Sequence, residues 1–177
     1  MKTPSAAFTL LEVLLVCGVV AILAALIVPA VQAGLGRADS AKCLGHLRSL
    51  GVSLSGYLAD HQMNFPPMAA GRRDRTEQVP VLDTELLPYV SDPRVFLCPA
   101  DKEIGARSGT SYYYNLALAG QPAASLNFLM VADSPTRIPV LVDKEGWHRQ
   151  SVSPVNYLYA DGSAGAELRL FTAPEPE

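Results

Sequence analysis

The side chains with chemistry to offer are few and far apart along the chain. There are three cysteines, at positions 17, 43 and 98, and three histidines, at 46, 61 and 148. Cys17 sits in an uncharged apolar run, which leaves Cys43 and Cys98 as an even pair outside it. In an oxidising compartment such a pair can close a disulfide, stabilising the fold by about 3 to 5 kcal/mol through the entropy it removes from the unfolded chain. Metal binding by these thiols is not expected from the linear pattern, because no second Cys or His stands at ligand spacing around either one. Asp133, Asp143 and Asp161 each close a predicted strand or open a turn, where carboxylates serve the backbone without any metal. The catalytic signatures are missing: no Gly-x-Ser-x-Gly elbow, no His-Glu-x-x-His, no glycine-rich phosphate loop and no Cys-x-x-Cys. His148, Asp161 and a serine could make a hydrolytic set only by folding, and nothing in their spacing favours it. The expectation is a protein that is not an enzyme and needs no cofactor.

The elements that must position these residues fall into two parts. The 177 residues are 49% hydrophobic with a net charge of −3. A pI near 5.6 argues against a surface built to neutralise a nucleic-acid backbone. From Val13 to Val31 no residue carries a charge, and such a run makes a helix of roughly 28 Å, about the thickness of the bilayer hydrocarbon. All the acidic residues except Glu12, and all the basic ones except Lys2, come after Gly36. Residues 8–36 therefore read as a membrane-spanning helix and residues 37–177 as an exterior domain. Lys2 alone precedes the span, whereas Arg37, Lys42 and Arg48 follow it, and this count by itself favours the orientation with the N-terminus outside. An ordinary secretory signal cleaved after Val31-Gln32-Ala33 is disfavoured by the single Lys2 and by Glu12 at the front of the apolar run. Val16 before Cys17 disfavours a lipoprotein signal.

From Leu35 onward, Leu35, Ala38, Ala41, Leu44, Leu47, Leu50, Leu54 and Leu58 recur at spacings of three and four, one face of a helix. A helix from Phe8 to Asp60 would be roughly 80 Å long. Asn64-Phe65-Pro66-Pro67 ends it, and Arg72, Arg73 and Arg75 read as a solvated loop. Residues 83–90 form a helical turn capped by Asp83 or Thr84. Short β runs follow at 95–97, 111–114, 128–132, 138–142, 155–160 and 166–171, with a terminal hairpin turning at Asp161-Gly162. The fold class is α+β: a long N-terminal helix, membrane-spanning in its first half and amphipathic in its second, packed against a small antiparallel sheet.

Two stretches carry a family resemblance. A short polar leader, Met1 to Ala7, precedes Phe8-Thr9-Leu10-Leu11-Glu12 and the apolar run. This resembles the prepilin-type cleavage and methylation segment of type IV pilins and type II secretion pseudopilins. The resemblance implies a pilin-like fold, removal of residues 1–7 by a prepilin peptidase cutting between Ala7 and Phe8, and N-methylation of Phe8. Alanine replaces the usual glycine before the cut, and both fit a narrow subsite. It further implies that Glu12 pairs with the α-amino group of Phe8 on a neighbouring subunit and that Pro29 marks a kink or helix end in the assembly helix. The second stretch comprises Lys42-Cys43-Leu44, Phe96-Leu97-Cys98-Pro99-Ala100-Asp101, Ser111-Tyr112-Tyr113-Tyr114-Asn115 and Tyr159-Ala160-Asp161-Gly162. It is similar to pseudopilin-like proteins of planctomycete and verrucomicrobial type, which often carry a histidine, nine residues and Asp-Gly; here twelve residues separate His148 from Asp161.

The implied function is a structural filament subunit of a type II secretion or type IV pilus-related machine. It would be held in the inner membrane, N-terminus cytoplasmic and domain periplasmic, with other pilin-like subunits, the prepilin peptidase, an assembly platform and membrane lipid as partners. The resemblance also raises calcium held by oxygens of Asp133, Asp143 and Asp161. The competing reading is a single-pass, membrane-anchored periplasmic binding or enzymatic domain that uses a pilin-like leader.

Overall fold

The computed structural model describes residues 10–129, 131–132 and 134–170. Ala7, Phe8 and Asp133 lie outside them. Helix α1 runs from Leu10 to Asp60 and includes Pro29 without ending there. The chain divides into two units at Leu35/Gly36.

The first unit contributes the N-terminal stretch of α1. Its large side chains, from Leu10 through Leu15, Val20 and Leu26 to Leu35, are all exposed. The helix is long and apolar enough here to cross a membrane.

The second unit holds the core. From Ser40 onward α1 buries Ser40, Cys43, Leu47, Leu50, Gly51, Ser53, Leu54, Tyr57 and Leu58. This face is rotated from the predicted stripe, since Leu35, Ala38 and Ala41 are exposed and Leu44 is only half-buried. The rotation follows from small and polar residues: Ser40, Cys43 and Gly51 allow close approach, which a count of leucines does not register. Past Asp60 the backbone turns left-handed at Gln62 and Met63, and the Met63 N–H donates back to the Leu58 carbonyl at 2.8 Å, satisfying a terminal acceptor.

Four strands cover the buried face in the order β1-β4-β5-β6, all antiparallel neighbours: β1 Tyr112–Tyr114, β4 Pro139–Asp143, β5 Tyr157–Tyr159 and β6 Ala164–Gly165. A separate hairpin pairs β2 Asn127–Phe128 with β3 Val131–Ala132. Leu47, Leu50 and Leu54 of α1 share one apolar cluster with Tyr112, Leu118, Ile138, Leu141 and Leu158. Full burial of each such side chain stabilises by about 1.5 to 3 kcal/mol. The α+β layout expected from the pattern is thus present, with shorter strands.

Several local expectations need correction. Residues 95–97 are not a strand: Pro93–Phe96 is a 3-10 turn, started by Asp92, whose carboxylate accepts the Arg94 N–H at 3.0 Å. Among the described residues the last strand is Ala164–Gly165, and residues 166–170 of the expected run 166–171 are not a strand, because they are held by side chains instead of a ladder. The Tyr159 hydroxyl donates to the Glu167 carbonyl and Arg137 donates to the Leu170 carbonyl at 2.6 Å. Helix α2 is Leu82–Glu85 with Val81 at its N-cap, and Thr84 accepts the Val81 N–H at 2.9 Å. Asp83 instead pairs with Arg72 at 2.6 Å, so Arg72 is a packed tie and only Arg73 and Arg75 are exposed as predicted. Helix α3 is Ile104–Ser108, and further 3-10 turns lie at Leu87–Tyr89, Leu116–Leu118 and Ala123–Ser125.

The terminal hairpin does turn at Asp161-Gly162, where Gly162 takes φ +83°. It lies hard against α1. A Cβ on Gly51 would meet Leu158 Cδ1 at 3.0 Å and the Gly162 carbonyl oxygen at 3.3 Å. Gly51→Val is therefore expected to destabilise the domain by about 1 to 3 kcal/mol through overpacking, despite the poor helix propensity of glycine. Thermal unfolding of the full chain in detergent, followed by near-ultraviolet circular dichroism, checks it; an unchanged midpoint would contradict this packing.

Candidate functional site

Cys43, Cys98, Asp143 and His148 converge in the interior of the second unit. One ligating atom from each lies within 4.8 Å of all the others. Their exposures are 0%, 2%, 3% and 1%, so no substrate in solution reaches them.

Each residue arrives on a different segment. Cys43 is on the buried face of α1, one turn before Leu47. Cys98 follows the 3-10 turn and sits in a tight bend, where Asp101 N–H donates to the Cys98 carbonyl at 3.0 Å. Ser111 fixes that bend by accepting the Cys98 N–H at 2.9 Å and donating to Asp101 Oδ2 at 2.6 Å. Asp143 ends β4 and stands directly opposite Tyr112 of β1. His148 lies in the connection from β4 to β5, its N–H bonded to the Pro154 carbonyl at 3.0 Å.

Asp143 is the centre of the polar contacts. Its Oδ1 accepts the Cys43 thiol at 3.2 Å, and its Oδ2 accepts the Asn156 N–H at 2.8 Å and faces His148 Nε2 at 3.3 Å. His148 Nε2 is also 3.3 Å from Cys98 Sγ. The Tyr112 hydroxyl lies 3.5 Å from Cys43 Sγ. His148 Nδ1 and both polar atoms of the Asn156 side chain are buried without a partner.

These contacts separate the two thiols electrostatically. Cys98 is lowered to about 6 by the hydrogen bond from Cys43, and by His148 and the Ala100 N–H, all working against burial. Cys43 is pushed up, first by that shared hydrogen bond and then by burial and the Asp143 charge. Burial works against a charged His148, but hydrogen bonds with Asp143 and Cys98 override it and raise the imidazole to about 9. The Tyr112 hydroxyl is raised, chiefly by burial and then by Cys43. A thiolate–imidazolium pair next to a second thiol is the chemistry of a nucleophile, but its burial leaves it redox linkage or metal ligation instead.

The remaining predicted residues are placed differently. Glu12 is exposed in the first turn of α1, and Pro29 lies inside the helix. Cys43 and Cys98 are brought together as expected, yet as free thiols rather than a disulfide. The reading that these thiols lack metal-ligating neighbours is corrected, because folding supplies Asp143 and His148 across the gaps in sequence. Of the oxygen set raised for calcium, Asp133 lies outside the described residues, and the other two have different surroundings: Asp143 faces thiols and an imidazole, while Asp161 Oδ1 accepts from the Ser163 N–H and hydroxyl at 2.9 and 2.7 Å in the β5–β6 turn. His148 accordingly partners Asp143 and not Asp161. His46, half-buried, and His61, exposed, are bonded to the carbonyls of Leu97 and Tyr57, each at 2.8 Å.

No family model, no curated protein and no solved structure matches this chain.

Asp143→Ala would leave the Asn156 N–H, the Cys43 thiol and His148 without their common acceptor. The expected cost is about 3 kcal/mol or more. Chemical unfolding of the full chain in detergent measures it, and a loss under about 1 kcal/mol would show the cluster to be energetically slack.

Proposed function

We propose that this chain is a pilin-like filament subunit of a type II secretion or type IV pilus-related machine, and that its work is mechanical rather than catalytic. The observation that carries the reading is the N-terminal stretch of α1. Its large apolar side chains are exposed along the whole length from Leu10 to Leu35, with Glu12 as the one carboxylate among them. A surface of that kind suits lipid before assembly and the helices of other subunits after it. Small residues such as Ala21 and Ala25 permit close helix contact.

In this reading a prepilin peptidase cuts between Ala7 and Phe8 and the new Phe8 terminus is methylated. Glu12 then pairs with the α-amino group of Phe8 on the neighbouring subunit, which neutralises both charges inside the helical bundle and sets the axial stagger. The N-terminus starts on the cytoplasmic side of the inner membrane and the domain from Gly36 onward on the periplasmic side. The partners are other pilin-like subunits and the assembly platform; nucleic acid is not among them. The aligned leader, acid and apolar run outweigh the basic count of Arg37, Lys42 and Arg48 in this assignment.

Intact mass of the protein from native membranes is expected to show loss of residues 1–7 and gain of one methyl group. Cleavage after Ala33 would end the filament reading. Glu12→Val should leave membrane insertion intact while reducing incorporation beside wild-type subunits several-fold, and crosslinking through the helix should give a ladder that a monomeric anchored domain would not.

A further inference from the structure

We propose that Cys43, Cys98, Asp143 and His148 are the ligands of a structural zinc ion that fastens the helix to the sheet. The donor set is two thiols, one imidazole nitrogen and one carboxylate oxygen. Zinc is a borderline-soft cation that takes four such N, S and O ligands tetrahedrally. With Zn–S near 2.3 Å and Zn–N or Zn–O near 2.0 Å, tetrahedral angles put sulfur about 3.5 Å from nitrogen or oxygen and nitrogen about 3.3 Å from oxygen. The structure has Cys98 Sγ to His148 Nε2 at 3.3 Å, Cys43 Sγ to Asp143 Oδ1 at 3.2 Å and His148 Nε2 to Asp143 Oδ2 at 3.3 Å. These three separations, two of which use different oxygens of Asp143, differ by about 0.3 Å or less from the tetrahedral lengths. One ligand atom from each of the four residues lies within 4.8 Å of the others, close enough for small side-chain shifts to close around one ion.

The surroundings match what a thiolate site requires. Two thiolates and a carboxylate around a divalent cation leave one net negative charge in a buried place, so donors must point at the ligands. They do: the Ala100 N–H at Cys98, the Tyr112 hydroxyl at Cys43 and the Asn156 N–H at Asp143. All four ligands are buried and all are protein groups, which leaves no open position for water or substrate and makes the site structural rather than catalytic. Hard cations such as calcium want six to eight oxygens, which two sulfurs and an imidazole cannot supply. A disulfide would use Cys43 and Cys98 alone, leaving Asp143 and His148 as a separate buried pair at 3.3 Å.

The test uses the full chain carrying Cys17→Ser, without a histidine tag, purified in detergent from zinc-replete cells. Elemental analysis is expected to find about one zinc per chain. Exchange into cobalt(II) should give the intense visible bands of tetrahedral cobalt together with thiolate-to-cobalt charge transfer. Cys98→Ser and His148→Gln should lose stoichiometric metal. Because removing a buried ligand can also unfold the domain, the deciding result comes from the chain with all four ligands present. Two free thiols with no zinc or cobalt retained would overturn the proposal, as would a Cys43–Cys98 disulfide in the isolated protein or undiminished metal in the two ligand variants.

Discussion

Asp143 is the residue on which the second unit turns. A carboxylate 3% exposed in the interior is costly unless every lone pair is used, and here one carboxylate gathers a helix thiol, an imidazole and the Asn156 N–H just before β5. Those obligations dictate positions. Cys43 must face β4, so α1 is fixed in rotation about its own axis through the second unit. His148 must return over the end of β4, so the connection to β5 bends back through its bond to Pro154. Tyr112, paired across the ladder with Asp143, brings its hydroxyl to the same place, and Cys98 closes the set from the loop before α3.

Around that point the packing is conventional in kind but tight in detail. Leu47, Leu50 and Leu54 extend the contact away from the cluster toward Leu158, and Gly51 lets the β5–β6 hairpin approach the helix backbone. Upstream of Gly36 the same helix obeys a different rule, since its apolar side chains cover all sides instead of one. A helix hydrophobic all round is matched to lipid or to other helices, and one with an apolar stripe to a folded domain. Both kinds of surface occur in α1, whose backbone ladder lacks only the donor that Pro29 cannot supply.

The helix and its boundary at Asp60 were legible because a period of 3.6 and a closing Asn-Phe-Pro-Pro are local signals. The rotation of its buried face was not, because Ser40, Cys43 and Gly51 are buried for what they touch rather than for their hydrophobicity. Strand positions at residues 112–114, 139–143 and 157–159 were close to the expected runs. Residues 95–97 misled because Val-Phe-Leu reads as a strand until the preceding Asp-Pro makes a turn. The polar centre was invisible to motif reading for a topological reason: its ligands come from four segments, and Cys98 and His148, which touch, are 50 residues apart. One signal was available. Two cysteines outside the apolar run, a histidine and an aspartate closing an apolar strand are a set worth testing for convergence even when no pair has ligand spacing.

Strands of two to five residues form ladders too short to hold a sheet by themselves. Such a sheet needs a partner surface, and α1 provides one, but the long connections among β1, β4 and β5 still carry a large closure entropy. A link joining Cys43 to Cys98, Asp143 and His148 closes several of those loops at one point. A disulfide would join only two of the four segments. A metal ion joins all of them, and it does so while converting the least favourable feature of the core, a buried carboxylate beside two thiols and an imidazole, into its strongest attachment. For a domain borne on a helix that also has to serve outside it, a single tie of that kind keeps the sheet seated without demanding a larger apolar core.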